Sequence, residues 1–207
     1  MKAEYKTVAK EAAGELIEKR SRFIASVKPV QTEEEALEFL ETIKKKYWDA
    51  RHNVYAYIIE ENNIQRYSDD GEPAGTAGVP VLDMIKKEGL SNLIVVVTRY
   101  FGGILLGTGG LVHAYSKSAK IGVEAAEPIQ MVLCRDIKIS CDYSLLGKVQ
   151  NEVLGQGFKI SDTEYGENVY VSVLVPFEEA DRFESALIDA TNGRATIEKG
   201  ETGYNRM

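Results

Sequence analysis

The chain has 207 residues, of which 44% are hydrophobic and 28% are charged, and its formal net charge is −7. This is the composition of an ordinary soluble protein with enough apolar residues for one or two cores. The negative charge argues against non-specific coating of DNA, and no apolar run approaches the roughly 18 residues of a membrane span.

The N-terminus is charged throughout and lacks the apolar centre of a signal peptide, so we expect a cytoplasmic protein with no membrane partner. The two cysteines, Cys134 and Cys141, are too few for a zinc site and are expected to be reduced core residues.

Hydrophobic periodicity predicts an α/β region in the first 130 residues. Thr32 and Glu35 form a capping-box pattern that begins a helix over residues 33–48. The other predicted elements are strands at 16–20, 22–27, 53–60, 64–67 and 93–98, a short helix from Pro80 to Gly89, and a helix over 111–126.

After Pro128 the pattern changes to strand, helix, strand, strand, helix, strand, over residues 131–140, 144–154, 158–163, 169–175, 177–191 and 195–199. This βαββαβ order is typical of a ferredoxin-like domain. We therefore predict an α+β protein with domains at 1–130 and 131–200, and a loose tail at 201–207.

A glycine-rich segment follows the most apolar predicted strand. After Arg99-Tyr100-Phe101 it places five glycines in nine positions: Gly102, Gly103, Gly107, Gly109 and Gly110. These glycines could serve close packing alone, or their bare amides and Thr108 could bind an anion such as phosphate at the start of the next helix. Arg99 would add a cation, and we expect one of Tyr100 and Phe101 to be exposed.

Three acids lie in the loop over residues 68–80, at Asp69, Asp70 and Glu72. They could hold a divalent cation, form a solvated turn, or pair with Arg99. His52, at the start of a predicted strand, is a further candidate ligand. No Ser/His/Asp, Cys/His or HExxH arrangement is found, so no catalytic residue, metal or cofactor is assigned.

Several blocks of the chain together resemble the IMPACT/YigZ family. They are Arg51–Tyr57, Ser68–Pro80, Val97–Gly103 and Leu106–Tyr115, in that order and at distinctive spacing. The blocks also contain Thr76 and Tyr115, which join the candidate ligand-binding residues.

The resemblance implies a domain like domain 2 of ribosomal protein S5, followed by a ferredoxin-like domain like the last domain of elongation factor G. Eukaryotic members of the family regulate translation under amino-acid stress. The resemblance thus implies a translation-associated binding protein that contacts RNA, the ribosome or a protein partner. The alternative is an enzyme that binds phosphate or a nucleotide, with Mg²⁺ on the acids. The sequence does not specify an oligomeric state.

Overall fold

A computed structural model describes residues 2–206, which form two compact units. Residues 5–130 form the first unit, and residues 2–4 together with 131–206 form the second. No helix among these residues has both the length and the apolar character needed to cross a bilayer.

The first unit is built on five antiparallel strands in the order β2–β3–β6–β4–β5. The elements of this part of the chain are β1 (Glu4–Val8), β2 (Ala12–Glu18), β3 (Ser21–Pro29), α1 (Glu33–Lys46), β4 (His52–Ile59), β5 (Ile64–Ser68), α2 (Gly78–Lys87), β6 (Leu93–Tyr100) and α3 (Gly107–Ala125).

Strand β6 is central in this sheet and is buried on both faces. Its alternate residues Ile94 and Val96 pack with α1, whereas Val95 and Val97 pack with α2 and α3. A strand covered by helices on both sides must be apolar at nearly every position, and this explains the run Leu93–Val97.

The last residues of β6 lie beside the first residues of β3 and β4, because both neighbours run antiparallel to it. Arg22 pairs with Tyr100, and His52 pairs with Arg99. We call this end of the sheet the β6 end. The loop after β5, the glycine segment after β6 and the turn between β2 and β3 all join it.

The second unit is a ferredoxin-like domain. After β7 (Pro128–Cys141) come α4 (Tyr143–Gly155), β8 (Lys159–Tyr165), β9 (Val169–Pro176), α5 (Ala180–Thr191) and β10 (Thr196–Arg206). The antiparallel strand order is β10–β7–β9–β8, and both helices contribute to the core with residues such as Val149 and Phe183. The predicted α+β class, with a two-domain arrangement and a βαββαβ second unit, is confirmed.

Several parts of the predicted layout are wrong. The strand predicted over residues 16–20 is β2, which covers Ala12–Glu18, and residues 19 and 20 form a turn. Strand β1 was not predicted, and α3 begins at Gly107 instead of residue 111. The predicted tail is also wrong, because β10 continues to Arg206 and pairs with β7 as far as Met131. Cys134 and Cys141 are free and buried as expected, and burial raises the pKa of both thiols.

Candidate functional site

The loop between β5 and α2 is folded around the carboxylate of Asp69. This carboxylate accepts hydrogen bonds from the backbone N–H groups of Gly75, Ala77 and Gly78 at 2.8, 3.0 and 2.8 Å. The last two N–H groups belong to the start of α2, which has no other side-chain cap. Asp69 therefore acts as the cap of this helix.

Asp70 and His52 fasten the same loop to the β6 end. The N–H of Asn53 donates to Asp70 Oδ2 at 2.6 Å, and His52 Nδ1 lies 2.8 Å from the carbonyl oxygen of Asp70. Since a carbonyl oxygen only accepts, the Nδ1 atom carries a proton here. The ring of His52 thus holds the loop through its backbone.

The third acid of the loop, Glu72, lies in a buried polar cluster. Its Oε1 atom accepts hydrogen bonds from Arg99 Nη1 at 2.6 Å and from the hydroxyl of Tyr115 at 2.8 Å. Tyr115 is fully buried, and its burial, reinforced by the negative charge of Glu72, raises its pKa far above the ordinary value. The cluster joins the loop to β6 and α3.

The prediction that Arg99 is a cation open to a ligand is therefore wrong. Its residue surface is only 7% exposed, and its guanidinium lies 5.4 Å from the ring of Phe23 and 5.7 Å from that of Phe101. The Arg99 Nε atom is buried and has no hydrogen-bond partner among residues 2–206. The interpretation that the acids of the loop pair with Arg99 is correct for Glu72.

The idea that the three acids hold a divalent cation is also wrong. Asp69 binds backbone amides, Asp70 binds Asn53, and Glu72 binds Arg99 and Tyr115. Within residues 2–206 no three His, Cys, Asp or Glu side chains come together in a way that could hold a metal ion. Thr76 is buried, and its hydroxyl donates to the carbonyl of Pro73 at 2.7 Å.

The glycine segment divides into one packed residue and several open ones. A Cβ atom at Gly102 would lie 2.0 Å from the carbonyl carbon of Arg20, so this glycine is needed for close packing. Positions 103, 107 and 109 are exposed, and a Cβ atom at any of them would meet nothing within 4 Å. Close packing thus explains Gly102, and positive φ angles of +83° and +72° explain Gly103 and Gly107. Neither reason applies to Gly109.

The open glycines include the first turn of a long helix. Gly107, Thr108, Gly109 and Gly110 begin α3, and in the described part of the chain no side chain caps its N-terminus. The first N–H groups of a helix have no partner within the helix, and they carry the positive end of its dipole. The backbone of this turn is thus both polar and accessible.

Exposed apolar side chains border these glycines. Phe101 is 53% exposed and Leu105 is 83% exposed. Tyr100 is less exposed, and its hydroxyl donates to Asp49 Oδ1 at 2.7 Å, a bond that raises the pKa of Tyr100 to about 12. The expectation of one exposed aromatic residue after β6 is met by Phe101.

Two features of this surface were missed by the search for motifs. Lys19 and Arg20 form the exposed turn between β2 and β3, and the backbone of Arg20 contacts Gly102. Trp48, after the end of α1, is 83% exposed. Positive charge near aromatic residues is the signal that could have identified both.

Comparison with known families finds two matches along the chain. Residues 19–123 match the model described as the Impact N-terminal domain, and residues 139–194 match one described as a domain of unknown function (DUF1949).

Similarity to individual proteins extends over most of the chain. It is 44% identical over 201 residues to the IMPACT family member YvyE of Bacillus subtilis, which covers 97% of this chain and 93% of that protein. It is 34% identical to the IMPACT family member YigZ of Escherichia coli, over 84% of this chain and 87% of that protein. A solved structure described as a crystal structure of a hypothetical protein is 29% identical, with a TM-score of 0.61, and covers 97% of this chain and 99% of that one.

Proposed function

The chain belongs to the IMPACT family, and from this membership we propose that it is a cytoplasmic, translation-associated protein that binds RNA with the β6 end of its first sheet. The link to translation comes from the role of eukaryotic members of the family. One observation carries the RNA-binding part: the exposed ring of Phe101 lies next to open glycine backbone and to the Lys19–Arg20 turn.

An exposed aromatic ring can stack on an unpaired base, because every base has a π-face. Such stacking contributes about 1–3 kcal/mol per base. The guanidinium of Arg99 lies against Phe101, so the phenyl ring is supported by a buried, ion-paired residue. A ring held in this way loses little freedom when a base stacks on it.

The backbone phosphates of RNA would find donors near this ring. Lys19 and Arg20 are exposed in the turn whose backbone contacts Gly102, and the uncapped amides at the start of α3 follow Phe101 in the chain. The loop before α2 contains three acids, but two of them are already engaged within the protein. Asp69 accepts hydrogen bonds from backbone amides, and Glu72 pairs with Arg99, so both repel phosphate less than free carboxylates would. A net negative chain can thus present a locally attractive surface.

The start of α3 also favours a second candidate function, the binding of phosphate or a nucleotide as a substrate. Its open amides suit an anion. The test is thermal unfolding of the chain with inorganic phosphate and with nucleotides, because a ligand that binds only the folded state raises the midpoint. No shift at millimolar ligand would count against this candidate.

The RNA-binding proposal is tested by fluorescence anisotropy of a labelled single-stranded RNA with the full chain. We expect Phe101→Ala to weaken binding by roughly 5- to 150-fold, which corresponds to the loss of one stacked base. Phe177→Ala is the matched control, because Phe177 is 43% exposed and also lies against an arginine, Arg135, at 4.8 Å.

Equal affinity of the two variants would contradict the proposed surface. If the wild-type chain does not bind RNA, the RNA proposal is wrong, and a protein partner becomes the candidate occupant of the β6 end.

A further inference from the structure

We infer that Trp48 is a second base-stacking residue and that it extends the RNA surface of the β6 end across the end of α1. The inference rests on the proposed function and adds a site and a ligand class, a single strand with unstacked bases. Trp48 is the only tryptophan of the chain, and 83% of its surface is exposed. Tryptophan is buried to a large extent in most proteins, so an exposed indole on an ordered turn calls for an explanation.

The backbone around Trp48 is fixed on both sides. The N–H of Tyr47 donates to the carbonyl of Ile43 at 2.9 Å, and the N–H of Ala50 donates to the carbonyl of Tyr47 at 3.0 Å. Next to Trp48, the carboxylate of Asp49 accepts the hydrogen bond from Tyr100. The indole is therefore presented by a rigid turn and does not belong to a loose loop.

The turn is also tied to the surface proposed above. Asp49 follows Trp48 in the chain, and Tyr100 precedes Phe101, so the 2.7 Å hydrogen bond joins the direct neighbours of the two exposed rings. The turn of Trp48 therefore lies at the β6 end, on the face of the sheet that α1 covers, whereas the ring of Phe101 lies against Arg99, which faces α3. A single strand that stacks on both rings would pass around this end of the sheet.

Several cations lie close to Trp48 in the sequence. Helix α1 ends in Lys44, Lys45 and Lys46, and the exposed Arg51 follows the turn. Lys44 pairs with Glu41 at 3.0 Å, but Lys45, Lys46 and Arg51 form no ion pair within residues 2–206. These groups could neutralise phosphates near a base that stacks on Trp48.

The chemistry of this surface favours RNA over a protein partner. The centres of protein interfaces are enriched in tryptophan but depleted in lysine, because burying an ammonium group there is costly. Aromatic rings between several lysines are instead typical of surfaces that bind single-stranded nucleic acids. A duplex offers no free base faces to stack on, so the strand must be unpaired.

The test uses the fluorescence of Trp48, which is the only indole of the chain and therefore reports on this position alone. The full chain is titrated with an unlabelled single-stranded RNA of about 10 nucleotides, within the usual site size of such surfaces. We expect the emission to be quenched in parallel with binding measured by anisotropy. Trp48→Ala should weaken binding by roughly 5- to 150-fold, and Trp48→Phe, which keeps an aromatic face, by less.

Leu154→Ala is the control, because Leu154 is a 63% exposed apolar residue of α4. If RNA binds without changing the emission, and Trp48→Ala binds as well as Leu154→Ala, the inference about Trp48 is wrong while the proposed function stands. If no RNA binds to the wild-type chain, both are wrong.

Discussion

The ion pair between Arg99 and Glu72 shapes the candidate surface without belonging to its exposed part. Only 8% of the Arg99 side chain and 4% of the Glu72 side chain are exposed. Two buried charges are stable only when they are paired. Here the pair joins the end of strand β6, where Arg99 lies, to the loop before α2. The same guanidinium supports the ring of Phe101.

Removing one charge of this pair should therefore destabilise the first unit strongly. We expect Glu72→Ala to lower the free energy of unfolding by about 3–5 kcal/mol, because Arg99 would be left buried and unpaired. Tyr115→Phe, which removes only one hydrogen bond to the charged carboxylate, should cost about 1.5–3 kcal/mol. Urea unfolding of both variants measures these values. Equal costs for the two substitutions would show that the charge pair does not dominate.

The hydrogen bond between Tyr100 and Asp49 gives a second prediction for single residues. Ionised Tyr100 could no longer donate to the negatively charged Asp49, and this raises the pKa of Tyr100 to about 12. The folded state then holds the phenolic proton more tightly than the unfolded chain, whose tyrosines titrate near pH 10. The resulting stabilisation is complete below about pH 10 and is lost as the pH rises through 12.

The pH titration of tyrosine absorbance is measured for the wild-type chain and for Tyr100→Phe. The difference between the two curves reports on Tyr100 alone among the 11 tyrosines. We expect a midpoint near 12, and in the Asp49→Asn background a lower one, because the carboxylate is then absent. A difference curve centred near 10 in the wild-type chain would mean that the bond to Asp49 does not form in solution.

The first turn of α3 is rich in glycine, a residue that disfavours a helix. Gly109 and Gly110 lie in this turn, and each lowers helix stability by up to about 1 kcal/mol relative to alanine. Gly107 differs, because its φ of +72° favours glycine. Space does not demand glycine at 109, where a Cβ atom would have no neighbour within 4 Å. A glycine that lowers helix stability and is not needed for packing is expected where a ligand must reach the backbone amides.

We therefore expect Gly109→Ala to stabilise the fold by about 0.5–1 kcal/mol and to weaken RNA binding several-fold, because its methyl group stands between the amides and the ligand. Thermal unfolding and anisotropy measure the two effects. Gly147→Ala is the control, since Gly147 lies within α4 and a Cβ atom there is equally free of neighbours. It should stabilise the fold and leave binding unchanged. Unchanged binding by Gly109→Ala would show that the open amides serve no ligand.

Elements with a strong apolar pattern could be predicted from the sequence, and elements formed by pairing alone could not. The apolar run of β6 and the periodicity of α1 are local signals, and both elements were predicted. The last half of β10 is polar and contains Gly200 and Gly203. It becomes a strand because the long strand β7 offers backbone partners from residue 135 to 131, a reason that lies outside the segment itself.

The candidate site shows the same limit. The sequence motifs identify the acids, Arg99 and the glycines as candidates. They do not show that Arg99 is buried, because its burial depends on an ion pair with Glu72, which is distant in the sequence. Trp48 carries no motif, and its importance follows only from its exposure.

At the scale of the whole molecule, the net charge of −7 opposes binding to RNA, so the location of the cations must matter more than their number. Changing Lys19 and Arg20 together to Gln should weaken RNA binding and reduce the salt dependence of log K by about 1.4, the value for two lost contacts to a single strand. The matched variant changes Lys148 and Lys159, which are exposed in the second unit, to Gln.

Each double variant removes two positive charges and so gives the same net charge. Anisotropy at several salt concentrations compares them. If both variants lose affinity equally, binding depends on overall charge and not on the β6 end.

The most direct test of the RNA surface is hydrogen exchange of the full chain, with and without a saturating single-stranded RNA. The measurement covers all backbone amides and presupposes no contact residue. The account predicts slower exchange at residues 19–22, 44–52 and 99–113, and unchanged exchange at residues 131–206. Protection confined to residues 131–206, or no protection anywhere although RNA is bound, would contradict it.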